Sequence, residues 1–112
     1  MAIVPVTVIP ASSSCVPPIA GANVREPTIF MFTLADPAHW EWQGTSPVVV
    51  QNGAQEFYDS FIHPNGRNVV LFDKNTDGTG SPTPATKYKY TVTIVNKATG
   101  VPMPIDPFIQ NQ

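Results

Sequence analysis

One short stretch of the chain has the residue types and the spacing of a calcium-binding loop. Asp73, Asn75 and Asp77 alternate and a glycine follows them, which matches the first half of the D-x-[DN]-x-[DN]-G pattern. Alternate side chains on such a tight loop can direct their oxygens at one Ca²⁺ ion. Pro84 stands where an EF-hand requires its bidentate glutamate, so the loop is not an EF-hand. A shorter calcium turn is one hypothesis; the alternative is an ordinary turn between two strands.

Trp40 and Trp42 are candidates for a binding surface. They lie in a loop over residues 35–47, and a spacing of two in extended backbone places both rings on the same side. Exposed aromatic rings stack on sugars or anchor a protein partner. A carbohydrate or protein site at these rings is one hypothesis. The alternative is that one or both rings close the end of the core.

Other combinations of metal-binding residue types are weaker candidates for a metal site. The candidates for a His/carboxylate site are Asp36, His39, Glu41 and His63. Such a site would require two separate loops to meet, and surface turns are the simpler expectation. A blue-copper site needs two histidines, a cysteine and a methionine close together. Cys15 is far along the chain from Met103 and has no neighbouring histidine, so we predict no copper site.

No group of residues in the sequence indicates catalysis. Asp59, Ser60 and His63 lie close together, but no nucleophile elbow surrounds the serine. The residues that follow, Pro64-Asn65-Gly66, are typical of a turn. We therefore predict that the protein is not an enzyme and needs no cofactor, with calcium as the one alternative.

The composition excludes several classes of partner. The formal net charge is −2 and the few basic residues are scattered, which argues against a nucleic-acid surface. Charged residues make up only 12% of the chain, whereas about a quarter is usual, and 13 residues are proline. No window longer than about ten residues keeps a helical period free of Pro and Gly. This composition favours an all-β domain with stiff loops.

The location of the protein is predicted from what its sequence lacks. Met1–Pro5 has no basic region and no long apolar stretch, so it does not resemble a signal peptide. No segment approaches the roughly 18 apolar residues that span a bilayer. Cys15, the single cysteine, cannot form an intramolecular disulfide. The expected location is the cytoplasm, without a membrane partner.

The elements that would position the candidate residues are strands. Apolar and polar residues alternate from Lys87 to Val95, as in a strand with one buried and one wet face. The residues predicted to be buried are Tyr88, Tyr90, Val92 and Ile94. Gly100 suits the turn that follows. The return strand, Val101–Ile105, carries two prolines and is therefore predicted at a sheet edge.

A second clear strand, Thr28–Leu34, is apolar on both faces. Phe30, Phe32 and Leu34 share one face, and Ile29 and Met31 share the other. Something must therefore cover each face. Low charge favours association, and exposed strand edges pair with other chains. These features predict a protein partner or a homo-oligomer, bound through Ile29 and Met31 or through the tryptophans.

About seven strands separated by turn signals can be counted along the chain. One of these signals is Asn52-Gly53, which is typical of a tight hairpin. At 112 residues, the chain is expected to form one domain over residues 1–112. The sequence predicts an all-β fold, a two-sheet antiparallel β-sandwich, with a barrel as the main alternative.

Roughly the last third of the chain carries a distinctive pattern. It runs Tyr88-Lys89-Tyr90-Thr91-Val92-Thr93-Ile94, then Gly100, then Asp106-Pro107-Phe108-Ile109-Gln110-Asn111. This pattern resembles the ending of small bacterial single-domain β-sandwich proteins of unassigned function. The resemblance implies an immunoglobulin-like or cupredoxin-like sandwich, and it implies no activity. Because the cupredoxin copper ligands are absent, it carries over no functional residue.

Overall fold

The alternating segment near the end of the chain forms the longest strand of the protein. It is seen in a computed structural model that describes residues 1–21, 26–58, 60–76 and 86–111. The strands in these residues are β1 (Ala2–Ile9), β2 (Ser14–Val16), β3 (Ile19–Ala20), β4 (Thr28–Leu34), β5 (Trp40–Trp42), β6 (Val48–Val50), β7 (Phe61–Ile62), β8 (Asn68–Asp73), β9 (Thr86–Asn96), β10 (Pro102–Ile105) and β11 (Phe108–Asn111). The helical element among them is a short 3-10 turn, Pro10–Ser12. No helix in the described residues is long and apolar enough to cross a membrane.

The first sheet has the strand order β2-β1-β4-β8-β7. β1 runs parallel to β4, with Ala2 beside Thr28 and Val8 beside Leu34. The other neighbours in this sheet are antiparallel. Parallel neighbours need a long crossover, and here the connection from β1 to β4 passes through the second sheet at β3. The sheet is therefore mixed, whereas the sequence analysis predicts antiparallel pairing throughout.

β9 is the centre of the second sheet. β10 and β11 pair with one side of it, and β5 and β6 pair with the other. β3 adds to β11 in parallel. The predicted hairpin between β9 and β10 is present, and Gly100 closes it with a left-handed φ of 70°. Its amide donates to the Asn96 carbonyl at 2.8 Å.

The core lies between the two sheets and confirms the predicted alternation. Phe30, Phe32 and Leu34 face inward from β4, and Tyr88, Tyr90, Val92 and Ile94 face inward from β9, all buried. Phe32 and Tyr90 meet edge to face with their ring centroids 5.5 Å apart. Such aromatic pairs contribute roughly 0.5–1.5 kcal/mol beyond the area they bury. The all-β, two-sheet sandwich is thus the observed fold.

The structure has more strands than the sequence analysis counts. The additional strands β2, β3, β5 and β7 are only two or three residues long. Segments this short give no readable alternation, and they become strands because a longer neighbour offers backbone hydrogen bonds. β5, which carries both tryptophans, is one of them and pairs with the far end of β9.

The Asn52-Gly53 turn does not form the predicted hairpin. β6, which precedes it, pairs with β9 in the second sheet, whereas Phe57 after it bridges to Asp73 in the first. The chain therefore crosses between sheets here. Asn52 adopts a left-handed φ of 54°, and Gly53 is needed for space. A Cβ on this glycine would lie 2.6 Å from the Cγ1 of Val50.

Candidate functional site

The outward side of the first sheet carries two adjacent rows of apolar side chains. The cross-strand register places Ile3, Ile29 and Phe72 side by side. The next row consists of Pro5, Met31, Val70 and Phe61. These seven residues form what we call the outer apolar face. Neighbours directly opposite each other on strands lie about 5 Å apart, so each row is continuous.

Several residues of this outer apolar face remain open to solvent. Ile3 is 66% exposed and Phe61 is 53% exposed, while Ile29 and Met31, at the centre, are half-buried by their flanking neighbours. Tyr58 extends the face at one end, with its ring centroid 5.2 Å from that of Phe72. Contiguous exposed apolar surface of this kind marks interaction sites in soluble proteins. The sequence predicts that Ile29 and Met31 share a face, but it does not predict which residues lie beside them.

The margins of the outer apolar face are polar. On one side a third row contains Thr33 and Asn68, and the Asn68 Nδ2 donates to the Thr33 Oγ1 at 2.9 Å. At the other end the Lys74 ammonium lies 5.2 Å from the centroid of the Tyr58 ring. None of the outward-facing residues in strands β1, β4, β7 and β8 is charged. A partner would therefore meet an uncharged centre and a hydrogen-bonding rim.

The two tryptophans line a cleft at the open end of the sandwich. Trp40 and Trp42 project inward from β5 and pack against the core, half-buried. Leu34 and Ile62 form the opposite wall from the first sheet. The space between has a volume of about 750 Å³. We call this space the tryptophan cleft.

The rim of the tryptophan cleft carries two cations. Arg67 and Lys97 line the cavity and are exposed. Lys97 is oriented by a hydrogen bond of 2.7 Å from its Nζ to the Pro37 carbonyl. The indole Nε1 of Trp42 donates to the Arg67 carbonyl at 3.4 Å, which links β5 to the turn before β8. The tryptophans are recognisable from the sequence, but the two cations are not, because Arg67 and Lys97 lie 30 residues apart.

Two of the three residues in the calcium hypothesis, Asp73 and Asn75, make hydrogen bonds within the protein. Asp73 is 1% exposed, and its Oδ1 accepts from the Asn75 amide at 2.9 Å and from the Asn111 Nδ2 at 3.2 Å. The Asn75 Nδ2 donates to the Glu26 carbonyl at 2.9 Å. Asp77 lies outside the described residues. These bonds tie the end of β8 to neighbouring segments.

Glu56 is a second buried carboxylate near this segment and is only 2% exposed. Its two oxygens accept from the amide of Thr76 at 3.1 Å and from its hydroxyl at 2.6 Å. Glu56 is not recognisable from the sequence, because it follows a turn signal and belongs to no alternating stretch. It also lies 20 residues from the threonine it holds.

The two histidines belong to separate turns. The His39 Nδ1 lies 2.7 Å from the Asp36 Oδ1, and both residues are exposed. The His63 Nδ1 accepts from the amide of Asn65 at 3.1 Å. Burial raises the pKa of the Cys15 thiol, which favours the neutral form over a metal-binding thiolate. Within the described residues, no three His, Cys, Asp or Glu side chains are grouped to hold a metal.

Ser60 is used to connect strands. Its Oγ donates to the Val48 carbonyl at 2.6 Å and accepts a hydrogen bond from the Val48 amide at 3.3 Å. Ser60 is buried, whereas His63 is exposed. Asp59 lies outside the described residues. The serine hydroxyl therefore satisfies the backbone of β6 at a point where the two sheets meet.

The outer apolar face and the tryptophan cleft are thus the two surfaces whose geometry fits a binding role. They lie on different parts of the molecule, one on the outside of the first sheet and one between the sheets. No protein-family model and no curated protein matches this chain.

Proposed function

We propose that the protein is a non-catalytic β-sandwich that associates with a second copy of itself through the outer apolar face. The observation that carries the proposal is the pair of continuous apolar rows across β1, β4, β8 and β7. Burying apolar surface stabilises a complex by about 25 cal/mol per Å² before the costs of association. An uncharged sheet face of this size loses that stabilisation while it faces water.

A second copy is the occupant we propose, because it would present the same uncharged apolar surface to this one. Two sheets pack face to face about 10 Å apart, with their strands about 30° from parallel. A two-fold axis brings the same patch of each subunit together. Since the centre of the face carries no charge, no like charges oppose each other across such an axis. The alternative occupant is a different protein, and the sedimentation experiment described below distinguishes it from a second copy.

The size of the face sets the expected affinity. Five strands about 4.8 Å apart are about 24 Å wide, and the eight residues of β1 extend about 26 Å. Because β2 and β7 are much shorter than β1, this product is an upper limit, and the footprint is at most about 600 Å² for each subunit. Standard stable interfaces bury about 800 Å² on each partner. We expect a weak dimer with a Kd in the micromolar range.

Sedimentation of the purified protein tests this prediction. The expected result is a sedimentation coefficient that rises from the monomer to the dimer value as the concentration increases from low micromolar to high micromolar. Light scattering at the upper concentration should give twice the chain mass. A monomer at high micromolar concentration would contradict self-association, and a different protein partner would then be the occupant to seek.

The calcium alternative makes its own prediction. If Asp73, Asn75 and Asp77 bind Ca²⁺, millimolar calcium should raise the melting temperature, because an ion that binds only the folded state stabilises it by mass action. A concentration of a hundred times Kd corresponds to about 2.7 kcal/mol. Magnesium is the control, and Asp77→Ala, which removes the ligand oxygen, should remove the calcium effect. An unchanged melting temperature would eliminate the hypothesis.

The proposal also covers the class of β-sandwich and the location of the protein. The C-terminal pattern supports an immunoglobulin-like or cupredoxin-like class of bacterial sandwich, and the single cysteine supports a cytoplasmic location.

Carbohydrate is the alternative ligand for Trp40 and Trp42, supported by their spacing on one side of β5. Binding of a neutral sugar there would be independent of the outer apolar face.

A further inference from the structure

The tryptophan cleft has two apolar walls. Trp40 and Trp42 form one wall, and Leu34 and Ile62 form the other. A sugar between these walls would have hydroxyl groups against aliphatic carbons on one side, and buried hydroxyls without partners are costly. The indole N–H of Trp42 already donates to the Arg67 carbonyl. A flat apolar body fits this space better than a carbohydrate ring does.

The charges around the cleft favour an anion. Arg67 and Lys97 line the cavity, and Glu41 is the acidic residue among the described lining residues. Glu41 lies between the two tryptophans in β5, so its side chain projects to the opposite face of that strand. Lys97 uses one donor on the Pro37 carbonyl and retains two others. The guanidinium of Arg67 binds carboxylates through two parallel hydrogen bonds.

The volume limits the size of the ligand. At about 750 Å³ the cleft lies within the range of about 300–1,000 Å³ found for small-molecule sites. Those sites are mostly apolar and have a few polar groups that fix orientation. This cleft has the same arrangement, because its walls are aromatic and aliphatic and its two cations lie at the rim.

We propose that the tryptophan cleft binds a small aromatic carboxylate. Its ring would lie between the tryptophans and the wall formed by Leu34 and Ile62, and its carboxylate would face Arg67 and Lys97. This site is separate from the proposed dimer face, so the two can be tested independently.

The two indole N–H groups provide a direct readout, because the chain contains only two tryptophans. The probe is 2-naphthoate, titrated into ¹⁵N-labelled protein while the two indole signals are followed. Both signals should shift and give a submillimolar Kd. The neutral isostere 2-naphthamide should bind roughly tenfold more weakly, since each exposed cation contributes about threefold. Added salt should weaken naphthoate binding but not amide binding.

Charge variants test the roles of the cations. Arg67→Gln and Lys97→Gln should each weaken naphthoate binding about threefold and leave amide binding unchanged. Lys89→Gln is the matched control, because Lys89 is an exposed lysine on β9 that does not line the cleft. It should change neither affinity.

Three results would overturn the proposal. The first is equal affinity for naphthoate and its amide, which would mean that the cations do not recognise the ligand. The second is tighter binding of methyl glucoside than of naphthoate, which would restore the carbohydrate hypothesis. The third is the absence of any indole shift at millimolar naphthoate in wild-type protein whose spectrum shows that it is folded.

Discussion

Replacing Met31 with lysine is expected to abolish self-association while the monomer stays folded. Met31 lies at the centre of the outer apolar face, between Pro5 and Val70. In a dimer the new ammonium group would be removed from water opposite its own symmetry mate, which costs several kcal/mol. The dissociation constant should rise at least a hundredfold, which corresponds to about 2.7 kcal/mol. Sedimentation velocity across the concentration range measures this change.

The monomer should tolerate the substitution because Met31 is half-buried and faces outward from the sheet. The lysine stem can lie along the same apolar neighbours while its charge reaches water. Val49→Lys is the matched control, since Val49 is 60% exposed on the outer side of β6, in the other sheet. It should leave the dissociation constant unchanged. Equal loss of association in both variants would place the interface elsewhere.

The outer apolar face is only partly visible in the sequence. Alternation within Thr28–Leu34 predicts that Ile29 and Met31 share a face that needs a cover. Their neighbours Ile3 and Pro5 come from β1, and that pairing is parallel and spans 26 residues. A parallel pairing depends on where the crossover runs, and local pattern contains no information about it. The extent of the face therefore requires the structure.

The long strands are predictable from the sequence because their alternating pattern covers enough residues, and the short strands have no such pattern. In β9 the alternation persists over enough residues to separate the buried from the wet side, and the structure confirms it. β5 has three residues, and its place beside β9 is fixed by the neighbour rather than by its own pattern. The spacing of Trp40 and Trp42 did predict that their rings share a side. The opposite wall of the tryptophan cleft and its two cations could not be predicted, because they come from loops and strands that are distant from β5 in the sequence.

Buried polar residues that connect distant segments leave no recognisable signal in the sequence. Asn111 is fully buried and donates to Asp73, although asparagine is a residue type that is mostly exposed. Glu56 is comparable, because its partner Thr76 belongs to a different loop. Buried polar residues depend on partners that the fold supplies, so composition and spacing do not identify them.

Replacing Phe32 with alanine is expected to remove a large part of the stability of the fold. Phe32 is fully buried between the sheets and meets Tyr90 edge to face. Deleting a buried phenylalanine ring costs about 3–5 kcal/mol, because the lost transfer energy is joined by the energy of the cavity left behind. Domains of this size are stable by only about 5–15 kcal/mol. Urea unfolding measured by fluorescence below the association range gives the difference.

Phe61→Ala provides the same chemical change on the opposite side of the first sheet. Phe61 is 53% exposed, and its ring belongs to the outer apolar face. In the monomer its loss should reduce the free energy of unfolding by only about 1 kcal/mol, because about half of the ring is already exposed. At concentrations where the dimer forms, the same variant should weaken association, because its ring is then part of the interface. Similar losses for both variants in the monomer would mean that the inward and outward sides of this sheet had been assigned incorrectly.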